Sequence, residues 1–220
     1  MPSAKGGRET ALRPLSPVRV LVMFSKVRLR RVIIILASGF VIAAAAVAVN
    51  HGSQVNAARQ LPQIGGHFTL SMPDGRRVTD ATFRGKWLLV YFGYTSCPDV
   101  CPTTLSAMAL ALDKLGPLAD KVQPVFITVD PERDTSKIVG EYVKDFDPRF
   151  VGLVGSSQEI GAAAQEFHVY YRVRQLGNNE YVVDHSSFIY LLDPNGTFVR
   201  LLTGDLPGHQ LADELRKLMS

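Results

Sequence analysis

From Trp87 to Phe92 the chain runs Trp-Leu-Leu-Val-Tyr-Phe without a polar break, and a second apolar run follows from Val122 to Val129. Runs this short and this uniformly apolar suit strands covered on both faces. Each gives way to helical spacing. Leu105, Met108, Leu112 and Leu115 recur at intervals of three and four, and Thr135 to Phe146 repeats the pattern. Ser156 and Glu159 have the spacing of a capping box, with Ser156 as N-cap of a helix reaching about Phe167. Ahead of these units, Phe68 to Met72 and Arg77 to Thr79 flank Pro73-Asp-Gly75, the pattern of a hairpin. Beyond them, Tyr170 to Gln175, Val182 and Val183, Ser187 to Leu192 and Phe198 to Leu202 read as strands. Gly177-Asn-Asn179 and Asp193-Pro-Asn-Gly196 serve as turns, and Leu206 to Met219 as a closing helix. Strands alternating with helices predict one α/β domain with a mixed sheet.

The N-terminal region follows another pattern. Val32 to Val49 is eighteen residues without a charge, just long enough to cross a hydrocarbon core of ~30 Å as a helix. Residues 1–31 carry eight Lys and Arg against Glu9 alone, +7, whereas residues 50–220 carry 16 basic and 19 acidic groups, −3. The net charge of +4 is therefore a property of the tail. Basic residues crowding one flank of the span predict a cytoplasmic N-terminus and a domain on the far side of the membrane. The expected layout is a basic cytoplasmic tail (1–31), a transmembrane anchor (32–49), a linker (50–64) and a folded domain (65–220). A cleaved signal peptide ending in the Ala43 to Ala48 run, a start at Met23 and a mitochondrial transit sequence are the competing readings. Each of them also takes the domain out of the cytoplasm, and none needs nucleic acid as a partner of the basic tail.

Export matters for the two cysteines, because thiols outside the cytoplasm oxidise unless something reduces or metallates them. Both lie in Tyr91-Phe-Gly-Tyr-Thr-Ser-Cys97-Pro-Asp-Val-Cys101-Pro102, four residues apart between the first strand and its helix. Strand, cysteine loop and helix form the opening unit of a thioredoxin-like architecture. The positive end of the helix should lower a thiol pKa, and Pro98, Asp99 and Pro102 suggest a turn at the surface. Such a pair can close a small disulfide, Cys97 and Cys101 then being a redox pair, or supply half of a soft-metal site.

Of the five histidines, His185 is best placed to join the cysteines. It stands in the polar segment Asp184-His185-Ser186 at the entrance of a strand, where a loop can face its neighbour. His51 falls in the linker, and His67, His168 and His209 occupy ordinary surface or capping positions. Two thiolates and one imidazole make a three-coordinate set, which suits Cu(I); zinc normally asks for a fourth ligand. Met108 falls on the apolar face of its helix and reads as core. Asp99, Asp130, Glu132 and Asp134 could form an acidic rim, but read more simply as turn and capping residues.

Several blocks in order resemble the Sco/SenC family of copper chaperones, which assemble the copper centre of cytochrome c oxidase. They are Gly65-Gly-His-Phe68, Val78-Thr79, Gly85-Lys86-Trp87, the cysteine segment, Thr128-Val-Asp-Pro-Glu-Arg-Asp134, Val183-Asp-His185-Ser186 and Tyr190-Leu-Leu-Asp-Pro-Asn-Gly196. The resemblance implies a thioredoxin-like fold with an added hairpin, and Cys97, Cys101 and His185 as ligands of Cu(I), with Cu(II) also allowed. It also implies one N-terminal membrane helix with the domain in the periplasm, or in the intermembrane space of a mitochondrion. The implied partners are the copper-bearing oxidase subunit, a thioredoxin-type reductant and other copper carriers. Ser96 departs from the many relatives that have His before the first cysteine.

A metallochaperone is the leading expectation. The alternative is a tethered thiol-disulfide oxidoreductase keeping oxidase-subunit cysteines reduced. Against it stand the extra residue between the cysteines and the absence of Pro between Asp184 and Pro194. Peroxide reduction at Cys97 leaves His185 without a role, and a Cys-His hydrolase leaves the second cysteine without one.

Overall fold

The computed structural model describes residues 64–178 and 180–219. The expected tail, anchor and linker up to residue 63 lie outside the described residues. Within them no helix is long and apolar enough to cross a membrane.

The elements are β1 (Thr69–Ser71), β2 (Arg77–Thr79), β3 (Trp87–Gly93), α1 (Val100–Leu115), β4 (Val122–Thr128), α2 (Ser136–Lys144), β5 (Val151–Leu153), α3 (Ser157–Glu166), β6 (Tyr171–Gly177), β7 (Glu180–His185), β8 (Phe188–Leu192), β9 (Phe198–Thr203) and α4 (Gly208–Met219). Five strands form the central sheet in the order β5-β4-β3-β8-β9. β4 and β5 run parallel to their neighbours, whereas β8 and β9 run antiparallel to theirs, giving the mixed sheet of a thioredoxin-like domain.

The apolar runs explain the layering. On one face of the sheet, Tyr91 and Phe126 lie against Cys101 of α1 and Tyr142 of α2. On the other, Phe92 and Tyr190 pack on Phe167 at the end of α3, and Phe167 meets Phe68 beside β1. α4 packs along α1, where a Cβ on Gly208 would lie 2.5 Å from the Ala107 carbonyl oxygen.

β5 escapes the sequence pattern because three residues are too few to show a period. Its central Gly152 has no room for a side chain, since a Cβ there would lie 2.6 Å from Val139 Cγ1 on α2. The strands expected between 170 and 183 form as β6 and β7, which make their own two-stranded sheet apart from the central one.

Two local features carry testable consequences. Ser156 caps α3 in the predicted capping box, and Glu159 also receives a 2.5 Å ion pair from Arg77 of β2. Arg77 and the Ser156 donors together hold the Glu159 carboxyl down at about 2. A depressed carboxylate stabilises the fold above its unfolded pKa, and that contribution is lost as pH falls through the folded one. The wild type should therefore lose more thermal stability between pH 5 and pH 2 than Glu159→Gln, as read by circular dichroism melts. At the end of β3, a Cβ on Gly93 would stand 2.8 Å from Cys101 Sγ and 3.0 Å from the Phe126 ring. Gly93→Ala should cost about 1–3 kcal/mol in urea denaturation by overpacking, and should displace the Cys101 sulfur.

Candidate metal centre

The parallel pairing of β3 with β4 sets Gly93 opposite Thr128, so both chains leave the sheet side by side. Val129 N–H extends the ladder by donating to the Gly93 carbonyl at 2.8 Å. The two loops that follow are joined through Asp134. Its carboxylate accepts from the Thr95 amide at 3.1 Å and from the hydroxyls of Thr95 and Thr128 at 2.5 Å each. The loop from Tyr94 to Asp99 is thereby fastened to β4 before it reaches the cysteines.

Cys97 closes a turn by donating its amide to the Tyr94 carbonyl at 3.2 Å. The helix starts earlier than the sequence suggests. Asp99 is its N-cap and Cys101 its second residue, so the Cys101 side chain points back over the first turn toward Cys97. The Cys101 amide donates to Cys97 Sγ at 3.5 Å. The segment turns at the surface as Pro98 and Asp99 suggest, but the cysteines themselves are withdrawn: Cys101 is fully buried, and Cys97 is 9% exposed beside an open cleft of about 380 Å³. Pro98, Asp99 and Val100 supply the outward-facing part of the segment.

His185 closes the group from 84 residues further along the chain, its Nε2 lying 3.3 Å from Cys101 Sγ. It is the last residue of β7, paired with Tyr171, and so belongs to the separate hairpin rather than to the entrance of β8. Its Nδ1 lies 3.0 Å from the Ser186 carbonyl oxygen. A carbonyl can only accept, so Nδ1 carries the hydrogen and Nε2 presents its lone pair to the sulfurs. The rings of Tyr91 and Tyr94 meet the imidazole edge-on, with centroids at 6.2 and 5.7 Å. One ligand atom from each of Cys97, Cys101 and His185 lies within 4.8 Å of the other two, which suits a single ion.

The thiols differ in acidity because they share a proton. Cys97 is pushed down to about 3 chiefly by the hydrogen bond from Cys101, with the backbone amides of Asp99 and Cys101 adding to it against the cost of burial. Cys101 is pushed well up, first because its proton is held by Cys97 and then by burial. Tyr91, whose hydroxyl lies 3.8 Å from Cys101 Sγ and 3.3 Å from Ser187 Oγ, is pushed up chiefly by burial. The two sulfurs thus differ, Cys97 ionising readily and Cys101 keeping its proton.

The other expected candidates fall elsewhere. His67 is exposed beside Asp80, His168 and His209 are exposed, and His51 lies outside the described residues. Met108 is core, as its spacing suggests. Asp99 and Glu132 are exposed. Asp130 opens a turn as its sequence suggests, its carbonyl accepting from the Arg133 and Asp134 amides, but the Asp130 and Asp134 carboxylates are also buried acceptors that join neighbouring elements. Ser96 faces solvent. Sequence reasoning gave no role to Tyr91, Tyr94, Thr95, Arg133 or Tyr181. The first four fall within the apolar run or the motif blocks, whereas nothing local singles out Tyr181.

Comparison with known proteins agrees with this geometry. Among curated relatives, the Arabidopsis thaliana protein "SCO1 homolog 1, mitochondrial" is 48% identical over 138 residues, covering 62% of this chain and 41% of its own. Human "SCO2 homolog, mitochondrial" is 41% identical over 170 residues, covering 76% and 64%. This chain thus spans 41 to 64% of the length of those two relatives. The crystal structure of Arabidopsis thaliana ScoI with copper bound superimposes with a TM-score of 0.68 at 44% identity, covering 71% of this chain and 98% of that one. Yeast Sco1 with copper bound gives 0.67 at 35% identity, covering 72% and 89%. The SCO1/SenC family model matches residues 56–220, and with the fold, the cysteine segment and the His185 segment in agreement, the chain belongs to the SCO1/SenC family.

Proposed function

We propose that this protein is a membrane-anchored copper metallochaperone that takes up Cu(I) between Cys97 Sγ, Cys101 Sγ and His185 Nε2. The observation that carries the reading is the convergence of two sulfurs and one imidazole nitrogen within 4.8 Å. Relatives of the same fold hold copper. Thiolates are soft ligands, and a three-atom set meets the trigonal preference of Cu(I) while leaving zinc one ligand short. Cu(II) is a second state that the imidazole would favour over sulfur alone.

Loading replaces the proton that Cys101 gives to Cys97, so the second sulfur becomes a ligand only as the ion arrives. Delivery is the reverse. An acceptor thiolate enters from the cleft beside Cys97, displaces the ligands in turn, and Cys101 recovers a proton. The proposed acceptor is the copper-bearing subunit of cytochrome c oxidase, with other copper carriers as donors and a thioredoxin-type reductant keeping the pair as thiols. The apolar span at 32–49 and the basic flank before it support an anchored domain outside the cytoplasm, in the periplasm or the mitochondrial intermembrane space.

Removing the imidazole separates copper capture from thiol chemistry. In the full-length reduced protein, X-ray absorption should count two sulfur neighbours and one nitrogen per Cu(I). His185→Ala should lose the nitrogen and weaken binding on the order of 100-fold. Equal affinity in the two proteins would sink the three-ligand reading.

A second reading, reduction of oxidase-subunit cysteines, is favoured by the unequal acidities, since one accessible thiolate backed by a buried thiol is the arrangement of dithiol reductants. In the metal-free protein, iodoacetamide should modify Cys97 at a rate nearly flat from pH 8 to pH 5, whereas an ordinary thiol slows about tenfold per unit. Cys101→Ser should then form a mixed disulfide with an oxidised substrate peptide that the wild type resolves. No such adduct, with copper still bound, leaves the chaperone reading alone.

A further inference from the structure

β6 and β7 make no ladder with the central sheet, and every residue of β6 except Tyr171 is exposed. Apart from the two-residue link from His185 to β8, the position of the hairpin on the domain is set by side-chain contacts. The inward face of β7 carries Tyr181, Val183 and His185 at alternate positions, and Val183 alone of β7 is buried.

Tyr181 is where the loop after β4 takes hold. The Arg133 guanidinium lies over the Tyr181 ring at 3.8 Å and over the Tyr94 ring at 5.6 Å, between the hairpin and the cysteine loop. Its Nη1 donates to the Tyr181 carbonyl at 3.0 Å, and its Nε pairs with Asp130 at 2.5 Å. The Tyr181 hydroxyl closes the ring of contacts by donating to the other Asp130 oxygen at 2.8 Å. Asp130 is 2% exposed and its amide donates to the Thr128 hydroxyl, so the carboxylate is fixed to the end of β4. Arg133 Nη2 is buried without a hydrogen-bond partner among the described residues. The guanidinium is therefore held by two aromatic faces, one carboxylate and one carbonyl rather than by a full set of acceptors, an arrangement suited to gripping rings.

We propose that Asp130, Arg133 and Tyr181 form a clamp that sets the hairpin, and so places His185 against Cys97 and Cys101. They are positioning residues, since none touches the ion-holding atoms. Two sulfurs stay in place when the clamp opens, because they are fixed by α1 and the Asp134 staple, while the imidazole leaves with the hairpin. The clamp thus decides whether copper is held by three atoms or by two. This deepens the copper reading above and rests on it.

The test uses full-length reduced protein in two forms. Tyr181→Leu removes the gripped ring and leaves the Asp130–Arg133 pair intact. Asp130→Asn combined with Arg133→Met removes the pair without leaving a lone buried carboxylate. In metal-free protein, amide hydrogen exchange across residues 171–185 should accelerate roughly tenfold or more in both, with β3 and β4 amides unchanged. With Cu(I), X-ray absorption should keep two sulfurs and lose the nitrogen, and affinity should fall roughly 10–100-fold, toward that of His185→Ala. Unchanged hairpin exchange, or a retained nitrogen neighbour in a variant whose hairpin exchanges faster, overturns the proposal. If the wild type takes up no copper, the copper reading falls, and the exchange measurement alone decides whether the clamp exists.

Discussion

Two buried sulfurs this close cannot both carry charge in a metal-free protein, and the proton that Cys101 holds toward Cys97 resolves the conflict. Burial favours the neutral thiol and the helix terminus favours the thiolate, so the two positions take opposite forms. That division depends on backbone. Cys101 is aimed at Cys97 because it sits in the first turn of α1, and α1 can start there because Gly93 offers no side chain to obstruct the sulfur. A cation brought to the site would take the place of that proton.

The scaffold beneath the cysteines and the element that brings the imidazole are built differently. β3 and β4 are central strands with apolar side chains on both faces, and Asp134 fastens the loops that leave them. The hairpin β6–β7 is a two-stranded sheet with one exposed strand, of a kind that is marginal on its own. Precision at the sulfurs comes from the core, whereas precision at His185 comes from a few contacts made by aromatic rings and one guanidinium.

Most of this fold could be read from the chain because the central strands are uninterrupted apolar runs and the helices keep their spacing. The capping box of Ser156 and Glu159 forms as its pattern requires. The cysteine pair and His185 could be singled out because thiols were few and one histidine stood beside a strand. What remained hidden depended on tertiary contact. β5 is too short for a period to appear, and the burial of the cysteines follows from how α1 seats on Gly93. Tyr181 looks like any strand tyrosine until Arg133, 48 residues earlier, is found against its ring. Asp130 and Asp134 resemble turn residues in sequence because the Thr and Tyr donors that they accept from are supplied largely by other elements.

The separation along the chain of the three converging atoms has a further consequence. Cys101 follows Cys97 by four positions, but His185 follows Cys101 by 84. An ion held by all three would tie a distant hairpin to the first turn of a helix, as a disulfide ties two remote segments, yet could be passed to another molecule without breaking a covalent bond. The cargo would then be a detachable staple. A loaded chain would be stiffer around its own entrance than an empty one, so a partner meeting that face would encounter two mechanically different surfaces made by the same residues.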